Sequence, residues 1–200
     1  MTPSATSGAA ATPGAAAHVM PRLSRQAHGS LRRAKAGSVA DFDALFSAHW
    51  PQAYRAAYLI AHDAAAAEDI AQEAFIAAIR ALDRFDRRRP FGPWLHRIVV
   101  NRAIDWTRTR ALRREAGGDV EEQRELAALP QEPTRPYSDE LVRALSKLST
   151  EHRAVVVLRH LLEYTPGEIA RLLDLPRGTV NSRLRRALDQ LEAELGEERR

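Results

Sequence analysis

Cysteine is absent from the 200 residues. That excludes disulfides, thiolate zinc sites and a thiol redox switch within the chain. Lysine is nearly absent as well, with Lys35 and Lys147 the only two. The basic surface is therefore guanidinium, which favours planar, bidentate contacts to phosphate and guanine. The bias toward Ala and Arg also fits a GC-rich genome. There is no Walker loop, no GxGxxG and no catalytic constellation. The seven histidines show no metal-ligand spacing and are expected on the surface or in packing. No catalytic residue, metal or cofactor is expected, and the chain is not read as an enzyme. No apolar run reaches the roughly 20 residues needed to span a bilayer, so a cytoplasmic protein is expected. Residues 1–38 contain no acid and five basic residues, Arg22, Arg25, Arg32, Arg33 and Lys35. This Ala-, Ser-, Thr-, Gly- and Pro-rich stretch cannot bury a core and is expected to be a disordered basic tail. It lacks the compact apolar segment of a signal peptide, and Met20 offers an alternative start.

The net charge is only +4, so overall balance says little and distribution says more. Between Arg84 and Arg114 stand ten arginines and two acids, Asp86 and Asp105, a clustering that suits a polyanion. The most informative stretch is Thr165 to Leu191. Thr165 can N-cap a helix with Pro166 at its first position and Glu168 completing a capping box. Ile169, Ala170, Leu172 and Leu173 give that helix a buried side. Leu175-Pro176-Arg177-Gly178 makes the break. In the next helix Val180, Leu184, Ala187, Leu188 and Leu191 recur on one stripe. Its other faces carry Thr179, Asn181, Ser182, Arg183, Arg185 and Arg186, with no acid before Asp189. A short helix, a tight turn and a longer basic helix form a helix-turn-helix that places the second helix in a DNA major groove. A rotation of about 100° per residue puts Ser182 and Arg186 nearly opposite the apolar stripe. Arg177 and Thr179 then position the helix, and Arg183 and Arg186 are the candidates for base reading. The alternative is an ordinary helical hairpin with a solvated arginine face.

The rest of the chain is also helical in pattern. Phe42, Leu45, Phe46, His49, Trp50 and Tyr54 describe an amphipathic helix running from Val39 to Ile60, bent near Pro51. His62-Asp63 is a turn. A second helix over Ala64–Phe85 places Ile70, Ala74, Ala77 and Ala81 on a stripe widened by Phe75, Ile76, Ile79 and Leu82. Glu68, Asp69, Gln72 and Glu73 form an acid-and-amide patch in its first half, and helix-dipole stabilisation alone would explain it. Arg87-Arg88-Arg89-Pro90-Phe91-Gly92-Pro93 is a basic loop. Pro93 opens a helix from Trp94 to about Arg114, which carries Asn101, Arg102 and Arg108. Arginines interleaved with Phe91, Trp94 and Trp106 suit a single-stranded nucleic acid, with Trp94 itself better read as core. Residues 111–137 read as a linker. Ser138 and Ser149 cap two further helices, carrying Leu141, Leu145 and Leu148, then Val155, Leu158, Leu161 and Leu162. These support the helix-turn-helix, since two helices alone bury too little. Glu192–Arg200 is a charged, fraying end. The expected fold is all-α, with two small helical domains joined by a flexible linker.

These residues together resemble the sigma-70 family of bacterial RNA polymerase sigma factors, specifically the extracytoplasmic-function group. AEDIAQEAFIAAIRALDRF resembles the family's polymerase-binding helix. FGPWLHRIVVNRAIDWTRTR resembles the segment that opens and reads the −10 element. LVRALSKLSTEHRAVVVLRHLLEYTPGEIARLLDLPRGTVNSRLRRAL resembles the domain that reads the −35 element. The resemblance implies a first domain at 39–110, a linker at 111–137 and a second domain at 138–200. It implies that Asp69, Gln72 and Glu73 meet the polymerase clamp. It also implies that Arg87, Arg88, Arg89, Phe91, Asn101, Arg102 and Arg108 serve the −10 element. Arg177, Thr179, Ser182, Arg183 and Arg186 would serve the −35 element. Core RNA polymerase, promoter DNA and an anti-sigma factor are the implied partners. Asn181 departs from a common lysine, and Trp106 from a smaller residue or histidine. Pro90 and Pro93 bracket the base-capturing loop, where individual contacts therefore stay open. No third globular domain lies between the two, unlike in a housekeeping sigma factor. A helix-turn-helix repressor would explain Thr165–Leu191 but not the acidic patch or the Arg87–Arg110 surface. An enzyme acting on nucleic acid has still less support.

Overall fold

A computed structural model describes residues 39–86, 88–116 and 137–198. The expected basic tail, most of the expected linker and Arg87 lie outside the described residues. Among those described, the chain forms seven α-helices and one π turn, without a strand. The all-α expectation holds.

The first unit contains α1 (Val39–Ala61), α2 (Ala64–Arg80) and α3 (Phe91–Glu115). Ala53, Ala56, Ala57, Ala67, Ala71 and Ala74 are fully buried, so small side chains let the helix backbones approach closely. Leu95, Val99 and Val100 of α3 complete this core. Between α1 and α2, His62 adopts a left-handed backbone at φ 53°. Asp63 then caps α2, its Oδ1 accepting from Ala66 N at 2.9 Å.

Three boundaries differ from expectation. α2 ends at Arg80, five residues before Phe85. Beyond it, Leu82 N donates to Ile79 O and Phe85 N to Leu82 O. These three-residue bonds tighten the chain into turns yet keep Leu82 and Phe85 buried. α3 starts at Phe91 behind an extended Pro90, so Pro93 lies inside its first turn and does not open it. A missing N–H costs nothing there, because the first helical N–H groups have no intrahelical acceptor. α3 also runs to Glu115, five residues into the expected linker.

The second unit contains α4 (Asp139–Lys147), α5 (Thr150–Val156), a π turn (Val157–Leu161), α6 (Pro166–Leu173) and α7 (Arg177–Glu198). Ser138 accepts from Leu141 N and Ser149 from His152 N, as their cap positions require. The Thr165–Glu168 capping box is complete, with Pro166 at the first position. The turn of the helix-turn-helix is shifted from expectation. Asp174 takes the left-handed conformation (φ 55°, ψ 50°), Leu175 N bonds back to Ala170 O, and Arg177 and Gly178 already belong to α7. Val180, Leu184, Ala187 and Leu191 are buried, but Leu188 is 43% exposed. The charged end is helical to Glu198.

The two units are packed together, with α1 and α3 against α5, α6 and the π turn. Arg153 is buried at this boundary. Its guanidinium donates to the carbonyls of Leu145, Ser146 and Leu148 at the end of α4, and to Ile60 O at the end of α1. Helix C-terminal carbonyls thus take the place of a carboxylate, and burial lowers its pKa to about 10. Across the same boundary His96 Nδ1 and the buried Tyr164 hydroxyl are hydrogen-bonded at 2.8 Å.

Candidate nucleic-acid interface

α2 is held by its alanine face, which leaves Glu68, Asp69, Gln72 and Glu73 exposed on the other. Gln72 Nε2 donates to Glu68 Oε1 at 3.2 Å. Asp69, Gln72, Glu73 and Ile76 follow the three- and four-residue spacing of one helix face. Ile76 was expected in the core but is 46% exposed. Ile79, expected beside it, is exposed too. The stripe therefore pairs acids and an amide with an apolar side chain. The signal was present, because Ile76 stands seven residues after Asp69, but its hydrophobicity outweighed its register.

In the basic loop Arg88 and Arg89 are exposed. Asp86 organises them, accepting from Arg88 N at 3.0 Å and lying 3.8 Å from Arg89 Nε. Phe91 corrects the expectation of a base-stacking ring. It is buried, 4% exposed, with its ring against those of His49 at 5.3 Å, Trp94 at 5.7 Å and Phe85 at 6.1 Å. The helix starts at Phe91, three residues before the expected Trp94, which turns this ring into the core. Gly92 follows because a Cβ there would meet the His49 ring at 3.3 Å. Trp94 is half-buried, its ring tilted against that of Phe85 with centroids 4.6 Å apart.

Along α3, Asn101 is exposed. Arg102 is ion-paired with Glu73 of α2, joining the basic face to the acidic stripe. Arg108 donates from Nη2 at 2.8 Å and from Nε at 3.3 Å to Oε1 of Glu151, which belongs to the second unit. Arg110 pairs with Asp63 at 3.0 Å and lies 4.9 Å over the Trp106 ring. Sequence spacing could not reveal these partners, since they lie 29 to 47 residues away.

On α7, Arg177, Arg185 and Arg186 are exposed, and no ion pair involves them among the described residues. Thr179, Ser182 and Arg183 are half-buried, and Ser182 Oγ donates to Thr179 O at 3.0 Å. Arg183 has a neighbouring acid after all. Arg108 hydrogen bonds hold the Glu151 carboxyl below the usual carboxylate range, burial opposes them, and the Arg183 charge adds to the lowering. No helix among the described residues is long and apolar enough to cross a membrane.

Two family models match the chain: Sigma-70 region 2 over residues 45–113 and Sigma-70 region 4 over residues 138–191. The chain is 31% identical to the extracytoplasmic-function (ECF) RNA polymerase sigma factor SigW of Bacillus subtilis over 176 residues, covering 82% of this chain and 94% of that protein. It is 34% identical to the ECF sigma factor SigM of Mycobacterium tuberculosis over 170 residues, 80% of each chain. Among solved structures it resembles CnrH in complex with the cytosolic domain of CnrY, with a TM-score of 0.63, 30% identity, and coverage of 86% of this chain and 98% of that one. It shares a fold with the sigma factor RpoE of Bartonella quintana, solved with the anti-sigma factor NepR, at a TM-score of 0.65 and 23% identity, covering 79% of this chain and 98% of that one.

Proposed function

We infer, from a chain that belongs to the sigma-70 family as an extracytoplasmic-function sigma factor, how its surfaces divide the work of promoter recognition. It binds core RNA polymerase and directs promoter-specific initiation through −10 and −35 elements. It acts as an initiation factor, not an enzyme, in the cytoplasm where polymerase works. The first unit, extended to Glu115, docks on polymerase through Asp69, Gln72 and Glu73. It meets the −10 element through Arg87, Arg88, Arg89, Asn101, Arg102 and Arg108, while Phe91 supports the loop from within. The second unit meets the −35 element through α7. Arg177 and Thr179 set the helix on phosphates, Ser182 lies beside them, and Arg183 and Arg186 read bases. An anti-sigma factor is a third partner, by likeness to the complexed relative.

One observation carries this division. An exposed acid-and-amide stripe on α2 and an open arginine face on α7 stand on the same chain, each inside its own matched segment. A repressor needs only the second. The test is a pull-down with core polymerase, followed by transcription in vitro. The double variant Asp69→Arg/Glu73→Arg should keep its fold, because exposed helix positions tolerate change within about 0.5 kcal/mol. It should lose core binding by roughly tenfold or more, about 1.4 kcal/mol. Undiminished retention of core polymerase would remove the stripe from the interface.

A further inference from the structure

The basic loop between α2 and α3 hangs from a small aromatic cluster. Phe85 precedes the loop and Phe91 follows it, and both are buried. Their rings meet edge to face at 6.1 Å, so the two ends of the loop are pinched together. Trp94 lies 4.6 Å from Phe85 and 5.7 Å from Phe91. These three rings belong to one short stretch of chain. A fourth comes from elsewhere: His49 of α1, buried, with its ring 5.3 Å from that of Phe91. His49 also fills the space beside Gly92, where a Cβ would lie 3.3 Å from its Cε1 and 3.6 Å from its Nδ1. Burial holds the His49 pKa below the ordinary histidine value, so the ring packs as a neutral plate. His96, one turn further along α3, has its Cε1 3.9 Å from the same Cβ position. The first turn of α3 is therefore seated on a side chain of α1. Arg88, Arg89 and Pro90 are exposed immediately before that turn.

We propose that His49 is a positioning residue for −10 recognition: buried away from DNA, its ring fixes where the first turn of α3 begins, and so where Arg88 and Arg89 stand when a base is captured. The proposal rests on the assignment of this loop to the −10 element. A recognition loop must hold its donors within about 0.5 Å of the productive place, because hydrogen bonds weaken steeply as their angle departs from linear. Asp86 orders the loop from within, but a contact between loop residues moves with the loop. The His49 ring instead refers the loop to α1, which stays with the body of the unit. Gly92 is the other half of the arrangement, since any side chain there would press on the ring. A ring that only filled the core would act differently. Its loss would lower the folded fraction, weaken every activity alike and leave the ratio between preferred and poor −10 sequences unchanged. Positioning alters that ratio, so the ratio is the quantity to measure.

Holoenzymes carrying the wild-type chain, His49→Ala, Gly92→Ala and the double variant are compared on promoters with single base changes through the −10 element, with opening read by permanganate footprinting. Discrimination between preferred and changed bases should fall about threefold to tenfold in each single variant, part of what an aligned contact supplies. Core binding and base preference at the −35 element should stay at wild-type values. Once the ring is gone, a methyl group at residue 92 has room. The double variant should therefore match His49→Ala, because residues in contact do not act additively. Circular dichroism establishes which variants fold, and Gly92→Ala, the smaller change, decides the matter if His49→Ala does not. Folded variants with wild-type discrimination overturn the positioning role, as do losses that multiply in the double variant. Core binding that falls in step with opening, at an unchanged ratio, likewise reduces His49 to core packing. The variant Arg88→Ala/Arg89→Ala on the same promoters keeps the two readings apart. Discrimination lost there but intact in the His49 and Gly92 variants removes the positioning role and leaves the loop on the −10 element. Discrimination intact in all of them removes both.

Discussion

On α3, Arg102, Arg108 and Arg110 each touch a carboxylate, whereas on α7 Arg177, Arg185 and Arg186 project into solvent. The two helices carry similar chemistry in different states of readiness. An arginine surrounded only by water and salt gains from phosphate by releasing counterions. An arginine that already has a carboxylate must exchange one partner for another, and the net gain is smaller. The −35 surface is thus preformed, and the −10 surface must be unlocked.

The largest expected effect tests what joins the two regions. Arg153→Met removes a donor from four carbonyls and should cost about 3 kcal/mol or more, read by urea denaturation. Because Arg153 binds α1 and α4 together, both units should lose stability in one transition. Loss confined to one unit would show that the two regions are independent.

Next comes pH. Burial lowers the pKa of His96 to about 4 and that of His62 to about 3, with Arg153 adding to the second, and burial also lowers that of His49. These rings stay neutral in the fold but take up protons when unfolded below their ordinary value near 6.5. Their stabilising effect is complete above pH 6.5 and is lost as pH falls toward the folded values. For His96 the loss is on the order of 3 kcal/mol between pH 6.5 and 4. All three lie in the first unit, so melting temperature should fall across this range while base preference at the −35 element stays constant. A melting temperature unchanged down to pH 4.5 would refute the neutral burial.

A smaller effect distinguishes the surfaces by sequence reading. Arg186→Ala should cost about 1–3 kcal/mol at one −35 base pair and relax preference there. Holoenzyme tested on promoters varied through that element would report it. A uniform loss across all sequences would make Arg186 a phosphate contact instead.

The smallest effect asks whether a paired arginine can be made ready. Asp63→Asn keeps the cap of α2, since Asn caps as well as Asp, but removes the charge facing Arg110. Stability should change by no more than about 1 kcal/mol. The salt dependence of promoter binding should steepen by about one phosphate contact. An unchanged slope would mean that Arg110 does not reach DNA.

Much of this was legible in the sequence because it is local. Ser138, Ser149, Thr165 and Glu168 announce their helix starts by spacing alone, and each does what its spacing implies. The alanine face of α2 and the valine and leucine stripe of α7 likewise follow from period. What the sequence hid is non-local. Phe91 looked like a loop aromatic because Pro93 is a stronger start signal than Pro90, and only the packing of His49 and Phe85 draws it inward. Leu188 fits its apolar stripe by register and Ile76 by hydrophobicity alone, yet nothing packs over them sufficiently to bury them. Glu151 looked like an ordinary first-turn acid, and its meeting with Arg108 depends on how two units dock. Arg153, the most connected charged side chain at that boundary, carries no motif at all.

The π turn after α5 has a consequence for how such chains vary. Leu162 N reaches back five residues to Val157 O, and Tyr164 N six residues to Leu158 O, so this turn holds one residue more than an α-helix would. Each residue of an α-helix rotates the chain by about 100°, whereas the wider π turn takes up its extra residue within nearly the same sweep. A single-residue deletion between Val157 and Leu161 would thus restore a regular helix and leave the following segment close to its present direction. The same deletion earlier in α5, with no wide turn to absorb it, would carry Tyr164 away from His96 and bring α6 to α7 from a different side. Length at this point behaves like slack in a chain: one residue can be taken up here, whereas elsewhere in the helix it re-indexes every contact downstream.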